Sequence, residues 1–248
     1  MRSTAITSAI AAMVLIFAGV IYFTGPEKFT FYVGDITPVV LSLLAAIAWS
    51  ILAAKTPKTF NVDKKARMCI AGFLWLNFLG ETSWVIYELF LNEANPLGSV
   101  ADIFWHASYI FLIIGLILFI KTVFVPRKIL VWFNVVFISL ALTYLVNALV
   151  FTKFNSSSLI QTLYVVWDLI ALGLVLIVLV PLVLSYNQFT RSWIIFLAGI
   201  LGIVIFDMIF AGLTALGTYA TGNYVDLIYF TAYTLLGFAA NEKYRLIK

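Results

Sequence analysis

Apolar residues run in long stretches along this chain, broken by short polar connections. Eight stretches stand out, at roughly 4–24, 36–54, 68–91, 100–123, 129–151, 159–184, 192–216 and 221–241. Each is near the length of about 20 residues that an α-helix needs to cross a bilayer. The pattern predicts an all-α, polytopic membrane protein of eight transmembrane helices. The longest connection, Ala54 to Met68, is too short for a soluble domain. One transmembrane domain over residues 1–248 is therefore expected, and any chemistry must sit in the membrane or in short loops.

Helix starts can be read from capping residues. Ser99 and Asp102 have capping-box spacing, as do Asn223 and Asp226, and Ser158 with Gln161. Thr37-Pro38 reads as an N-cap followed by proline at the first helical position. The second, fourth, sixth and eighth segments should then start on one side of the membrane. The run after Met1-Arg2 lacks a small-residue cleavage site and is read as a first helix, with Gly25-Pro26 as a turn.

Charge agrees with that sidedness. Of the 15 Lys and Arg residues, 13 fall on the side of the two termini, and only Lys28 and Lys153 on the other. Basic loops face the cytoplasm. The expectation is a cell-membrane protein with both termini cytoplasmic, and the basic loops need no nucleic acid to explain them. Composition fits: 64% of the 248 residues are hydrophobic, 10% are charged, and the mean hydropathy is +1.09. Soluble domains have about 25% charged residues, so a soluble, disordered or fibrous chain is excluded. With Cys69 and His106 each the sole residue of its type, the usual thiolate and histidine metal sets are not available. No metal or cofactor is expected.

The few acids carry the interest. Asp35, Asp102 and Asp226 are expected at helix N-termini, where unpaired N–H groups stabilise a carboxylate. Glu81, Asp168 and Asp207 lie deep in their segments, where hydrocarbon contact costs a charge at least ~2.5–3.5 kcal/mol. They should face the bundle interior. Helical spacing puts Asn77, Glu81, Trp84 and Glu88 on one face of the third segment. The same spacing aligns Asp102, His106 and Tyr109; Gln161, Tyr164 and Asp168; Asp226, Phe230 and Tyr233; and Thr143 with Asn147. These stripes predict an acidic, aromatic cavity in the outer half of the bilayer, for a small amphipathic, lipidic or cationic ligand. Each stripe also has a plain structural reading, as interfacial aromatics, interhelical hydrogen bonds or caps. Asn155-Ser156-Ser157 forms a glycosylation triplet in an outer loop, and Ala198 with Gly202 a small-residue packing pair.

A degenerate repeat runs through the same residues. Asp102 to Tyr109 and Asp226 to Tyr233 both span seven positions, and Glu81 and Asp207 precede those aspartates by 21 and 19. The chain therefore reads as two copies of a four-helix unit, about 1–123 and 124–248, related by an axis along the membrane normal.

Two resemblances follow. Gly80, Glu81, Trp84, Pro96, Ser99, Ala101, Asp102, Trp105, Tyr109, Gly115 and Leu116 form a pattern that resembles multi-pass N-terminal sensory domains of bacterial diguanylate cyclases and related signalling proteins. That resemblance implies a membrane binding or sensory module. No cyclase or kinase output domain precedes the end at Lys248, so a separate signalling or membrane partner would transmit. The chain is also similar to lysoplasmalogenase-like eight-helix membrane hydrolases at Gly80-Glu81, His106 with Tyr109, and Phe206-Asp207, with Glu for their Asp and Phe206 for their Ser. That similarity implies an ether-lipid hydrolase using Glu81, Asp207 and His106 as acid–base groups. A proton- or cation-coupled transporter is the third reading, against which the helices show no internal Gly/Pro break.

Overall fold

A computed structural model describes residues 2–57, 59–93, 98–122, 140, 156–184 and 188–246. Apart from residue 140, the fifth apolar segment, with Thr143 and Asn147, lies outside the described residues, as do Pro96 and Asn155. Seven α-helices are described: α1 (Arg2–Thr24), α2 (Glu27–Lys55), α3 (Asn61–Val85), α4 (Val100–Ile120), α5 (Ser156–Leu184), α6 (Gln188–Ala215) and α7 (Asp226–Leu246). One turn of π-helix, Ile86–Phe90, extends α3. Among the described residues there is no strand. In hydrocarbon a spanning segment must satisfy its own backbone groups, which the α-helix does. The first six helices are long and apolar enough to cross a membrane.

The packing order closes on itself. α2 packs on α3, α3 on α4, α4 on α5, α5 on α6, α6 on α7, and α7 returns to α2. Six helices thus form a ring, and α1 lies outside it against α2 and α7. Large apolar side chains face outward: Phe23 is 74% exposed and Ile103 66%. Buried polar groups, Asn77, Glu81 and Asp168 among them, sit within the ring. This inside-out arrangement, apolar rim and polar interior, suits a lipid surround.

Three sequence expectations are corrected by the fold. α2 starts at Glu27 rather than Thr37, with Pro26 at the N-cap in extended conformation. Gly25-Pro26 already ends α1 and starts α2, so Pro38 falls inside the helix. Asp35 is consequently a mid-helix acid and caps nothing. Proline lacks an N–H, so the carbonyl of Gly34 loses its helical partner at Pro38; such a break is tolerated in a membrane helix where it lies against protein. Second, α5 begins at Ser156, so Ser158 lies within the helix rather than at its cap. Third, α3 begins at Asn61 and absorbs residues read as a basic loop. Asp63 and Arg67 pair one turn apart, and Arg67, 2% exposed, also donates through Nη1 to Thr56 Oγ1 at 2.6 Å. Arg67 is a buried structural cation, which the charge pattern alone did not reveal.

The Ser99 box matches expectation, whereas the Asn223 box is only partly formed, because the Asn223 N–H bonds the Ala220 carbonyl instead of Asp226. Ser99 accepts from Ala101 N at 3.2 Å while Asp102 accepts from the backbone N–H groups of Gly98 and Ser99. Asn223 accepts from Val225 N, and Asp226 from Gly222 N at 2.9 Å. Gly98 and Gly222 both take positive φ, 87° and 95°, which lets the chain turn sharply onto the cap acid. Of the small-residue pair only Gly202 packs against α7, together with Gly199: a Cβ on Gly202 would meet Ala232 Cβ at 3.0 Å, and one on Gly199 would meet Leu236 at 2.8 Å. Ala198 itself is exposed.

Gly199→Val should therefore force α6 away from α7 and destabilise the protein by about 1–3 kcal/mol, the usual cost of overpacking. Gly212 is the control, because a methyl group added there would meet nothing within 4 Å. Thermal unfolding in detergent should fall for Gly199→Val and stay near wild type for Gly212→Ala. Equal midpoints for both would contradict the α6–α7 packing.

Candidate functional site

The ring encloses a cavity of about 100 Å³. It lies toward the end where α2, α4 and α7 begin and α3 and α6 finish. Asn77, Glu81 and Trp84 reach it from α3, Asp102, Trp105 and Tyr109 from α4, and Tyr164 from α5. Asp207, Phe206 and Phe210 come from α6, and Asp226, Tyr229 and Phe230 from α7. The connection after α6 adds Tyr219 and Thr221. Basic residues collect at the opposite end, with Lys55 closing α2, Arg67 in the first turns of α3 and Lys243 in the last turn of α7.

Glu81 meets three side-chain donors on one oxygen. Its Oε1 accepts from Tyr229 OH at 2.5 Å, Tyr233 OH at 3.2 Å and Trp105 Nε1 at 3.2 Å. The two phenols also bond each other at 2.8 Å, and Tyr233 reaches Asn77 Oδ1 at 3.1 Å. Trp105 can approach because residue 80 is glycine. A Cβ there would stand 2.5 Å from the indole nitrogen. An indole and two phenols thus reach one oxygen, although the phenols, with one hydrogen each, also serve each other and Asn77.

Across the ring, Tyr109 OH bonds Asp207 Oδ2 at 2.6 Å and also Asp168 Oδ1. Tyr109 stacks nearly parallel on Trp167, with ring centroids 6.5 Å apart. The helices α3 and α7, and likewise α4 and α6, are not packing neighbours in the ring. Their acids and phenols join them through the interior.

The part of the cavity nearest the start of α7 has its own acid group. Asp226 accepts from Tyr22 OH at 2.8 Å, Tyr219 OH at 3.0 Å and the Gly222 N–H. Burial, with Asp226 beside it, pushes the Tyr219 phenol up, so it stays a donor. Tyr164 OH donates to Asp102 Oδ1 at 2.6 Å, and Thr221 to Glu88 Oε2 at 2.7 Å. Glu88 sits in the π-turn at the end of α3, a distortion frequent at functional sites. Asp35 differs from the others. It lines the cavity, is 2% exposed, and neither carboxyl oxygen has a hydrogen-bond donor, with the Glu88 carboxyl as an electrostatic neighbour.

The expected residues are therefore largely brought together. Asn77, Glu81, Trp84, Asp102, Tyr109, Tyr164, Asp207 and Asp226 line the cavity. Asp168 and Tyr233 lie one hydrogen bond behind it. His106 does not join Glu81 and Asp207. It stacks on Tyr164 at 4.3 Å, and both its ring nitrogens are buried without a partner. Among the described residues no group of three His, Cys, Asp or Glu side chains could hold a metal ion.

Several site residues were not assigned to the cavity from sequence. Trp105 and Tyr229 each stand three positions after a cap acid, an offset shared by the two halves that could have marked them. Tyr22 and Thr221 had no such signal, because they belong to a helix outside the ring and to a loop. No family model, curated protein or solved structure matches the chain.

Replacing Asp226 by Ala strands Tyr22, Tyr219 and the Gly222 N–H, at about 1–3 kcal/mol for each donor left buried. Asn223→Ala removes one capping acceptor, worth about 1 kcal/mol. Chemical denaturation in detergent should rank Asp226→Ala well below Asn223→Ala. The reverse order would show that the cap, and not the phenol pair, holds this end of α7.

Proposed function

We propose that this chain is a multi-pass cell-membrane binding module, whose cavity takes a small cationic or amphipathic ligand from the outer side. One observation carries the reading. The described cavity lining holds the carboxyl groups of Asp35, Glu81, Asp102, Asp207 and Asp226, with ten aromatic rings, and neither Lys nor Arg. Acids in a low-dielectric wall attract a cation, and ring faces add cation–π attraction of about 0.5–2 kcal/mol. A sensory role, with a separate partner to transmit, is the form that the diguanylate cyclase-type resemblance suggests.

The topology belongs to the same proposal: eight spans, with both termini cytoplasmic. The segregation of Lys and Arg to the side of the termini supports it. So does the proposed duplication. Glu81 of the α3–α4 hairpin takes a phenol from Tyr233 of the α6–α7 hairpin, and Asp207 takes one from Tyr109 in return. Trp84 and Phe210, each three residues past its acid, pack edge to face at 6.1 Å. Pairs that exchange partners in this way are the mark of a two-fold axis.

Purified protein should be stabilised against thermal unfolding by members of a panel of amphipathic amines and quaternary ammonium compounds. The Glu81→Gln/Asp207→Asn double variant should lose most of that shift. Native mass spectrometry of the wild type should show a retained small molecule. Shifts that survive intact in the double variant would place binding elsewhere.

A second reading, proton- or cation-coupled transport, gains from Pro38. Gly34 and Pro38 lie inside α2 beside Asp35 on the cavity wall, although the helix runs on from Glu27 to Lys55. A proline that removes one helical hydrogen bond beside an intramembrane acid is a milder form of the discontinuity that transport sites use. Proteoliposomes should then show cation-linked flux that Asp35→Asn abolishes. Wild-type vesicles without any such flux remove this reading.

A further inference from the structure

The interior holds a second kind of site, for a proton. A tyrosine hydroxyl has one hydrogen to donate. Tyr109 OH nevertheless lies within hydrogen-bond reach of two carboxyl oxygens, Asp207 Oδ2 at 2.6 Å and Asp168 Oδ1. If both carboxyls were ionised, one would face only lone pairs of the phenol oxygen. Two anions on one buried phenol, with one hydrogen between them, repel. No other described donor hydrogen-bonds either carboxyl, and the cavity lining holds neither Lys nor Arg to offset the charge. The facing titratable groups on the other elements are Glu81 from α3, Tyr164 from α5, and Tyr229 and Tyr233 from α7.

We infer that Asp168, Tyr109 and Asp207 form a proton-holding relay, which stores one hydrogen beyond the phenol's own and presents it to the cavity. The relay has two arrangements. In one, Asp168 carries the proton and donates to the Tyr109 oxygen, while Tyr109 donates to the Asp207 carboxylate. In the other, the Asp168 proton has moved to Tyr109 and the Tyr109 proton to Asp207. Tyr109 is regenerated, Asp168 is ionised, and no atom or charge is lost. Tyr109 and Asp207 line the cavity whereas Asp168 is 1% exposed behind them. The shift therefore carries the proton from the wall to the ligand side. A base in the cavity that takes it leaves both carboxyls ionised, until one proton is returned. Glu81 contrasts with this pair, because it draws on an indole N–H and two phenols rather than on one shared phenol.

The relay stands whether or not the cavity binds a cation, and its test needs no ligand. Infrared spectra of the purified protein in detergent should contain a carboxylic-acid C=O band. Subtracting the Asp168→Asn spectrum and the Asp207→Asn spectrum from wild type should reveal the same lost band, equivalent to one group. Glu81→Gln should keep it. Tyr109→Phe, which removes a single oxygen, should shift its frequency because the phenol hydrogen bond is gone. A wild type without the band, a band surviving in both Asn variants, or a band unmoved by Tyr109→Phe would each overturn the relay.

Discussion

The arrangement depends on how a ring of helices in an apolar surround satisfies acids with no basic side chain beside them. A bare carboxylate in hydrocarbon is costly, and an unpaired one in a protein interior costs several kcal/mol. This chain answers with phenols and an indole. Tyr229, Tyr233 and Trp105 serve Glu81, Tyr109 serves Asp207 and Asp168, and Tyr22 with Tyr219 serves Asp226. Each donor brings one hydrogen on an apolar ring, so it meets an acid and fills the interior together. A lysine or arginine would neutralise the same acids outright.

That choice also fixes the architecture. α3 meets α7, and α4 meets α6, through these bonds rather than by backbone packing. The cavity lies between the bonded pairs. Gly80 shows how finely the backbone is fitted to it, since a methyl group there would displace the Trp105 indole from Glu81. Small residues elsewhere do the opposite work. Gly199 and Gly202 let α6 and α7 approach closely, which sets the separation between Asp207 and the α7 phenols.

Much of this was legible along the chain because helical periodicity is local. The stripe Asn77, Glu81, Trp84 and Glu88 could be read from spacing alone, and all four are buried. The Ser99 cap was readable because its partners lie within four residues. Partners across the ring were not, since sequence spacing carries no information on which phenol meets which acid. Asp35 was misread for a different reason. Pro38 fits both a helix start and a break within one, and only the packing of the whole turn Gly25-Pro26 separates the two. Arg67 was hidden by its charge, because hydropathy assigns a basic residue to a loop even where Asp63 and Thr56 hold it buried.

The proposed duplication explains why the two central acids differ. Matching positions in two copies begin with the same surroundings, and divergence then acts on their neighbours. On α7 the position three past the cap acid is Tyr229, which adds a phenol to Glu81 beside Tyr233. On α4 the matching position is Trp105, whose N–H also turns to Glu81 and leaves Asp207 with Tyr109 alone. Both changes enrich one acid with donors and deprive the other. Asp168, from α5, then shares the single phenol that Asp207 retains. One acid thereby meets an indole and two phenols, and the other shares a single phenol hydrogen. In the proposed duplication, these two unlike hydrogen-bonding environments arise from one pair of matching positions.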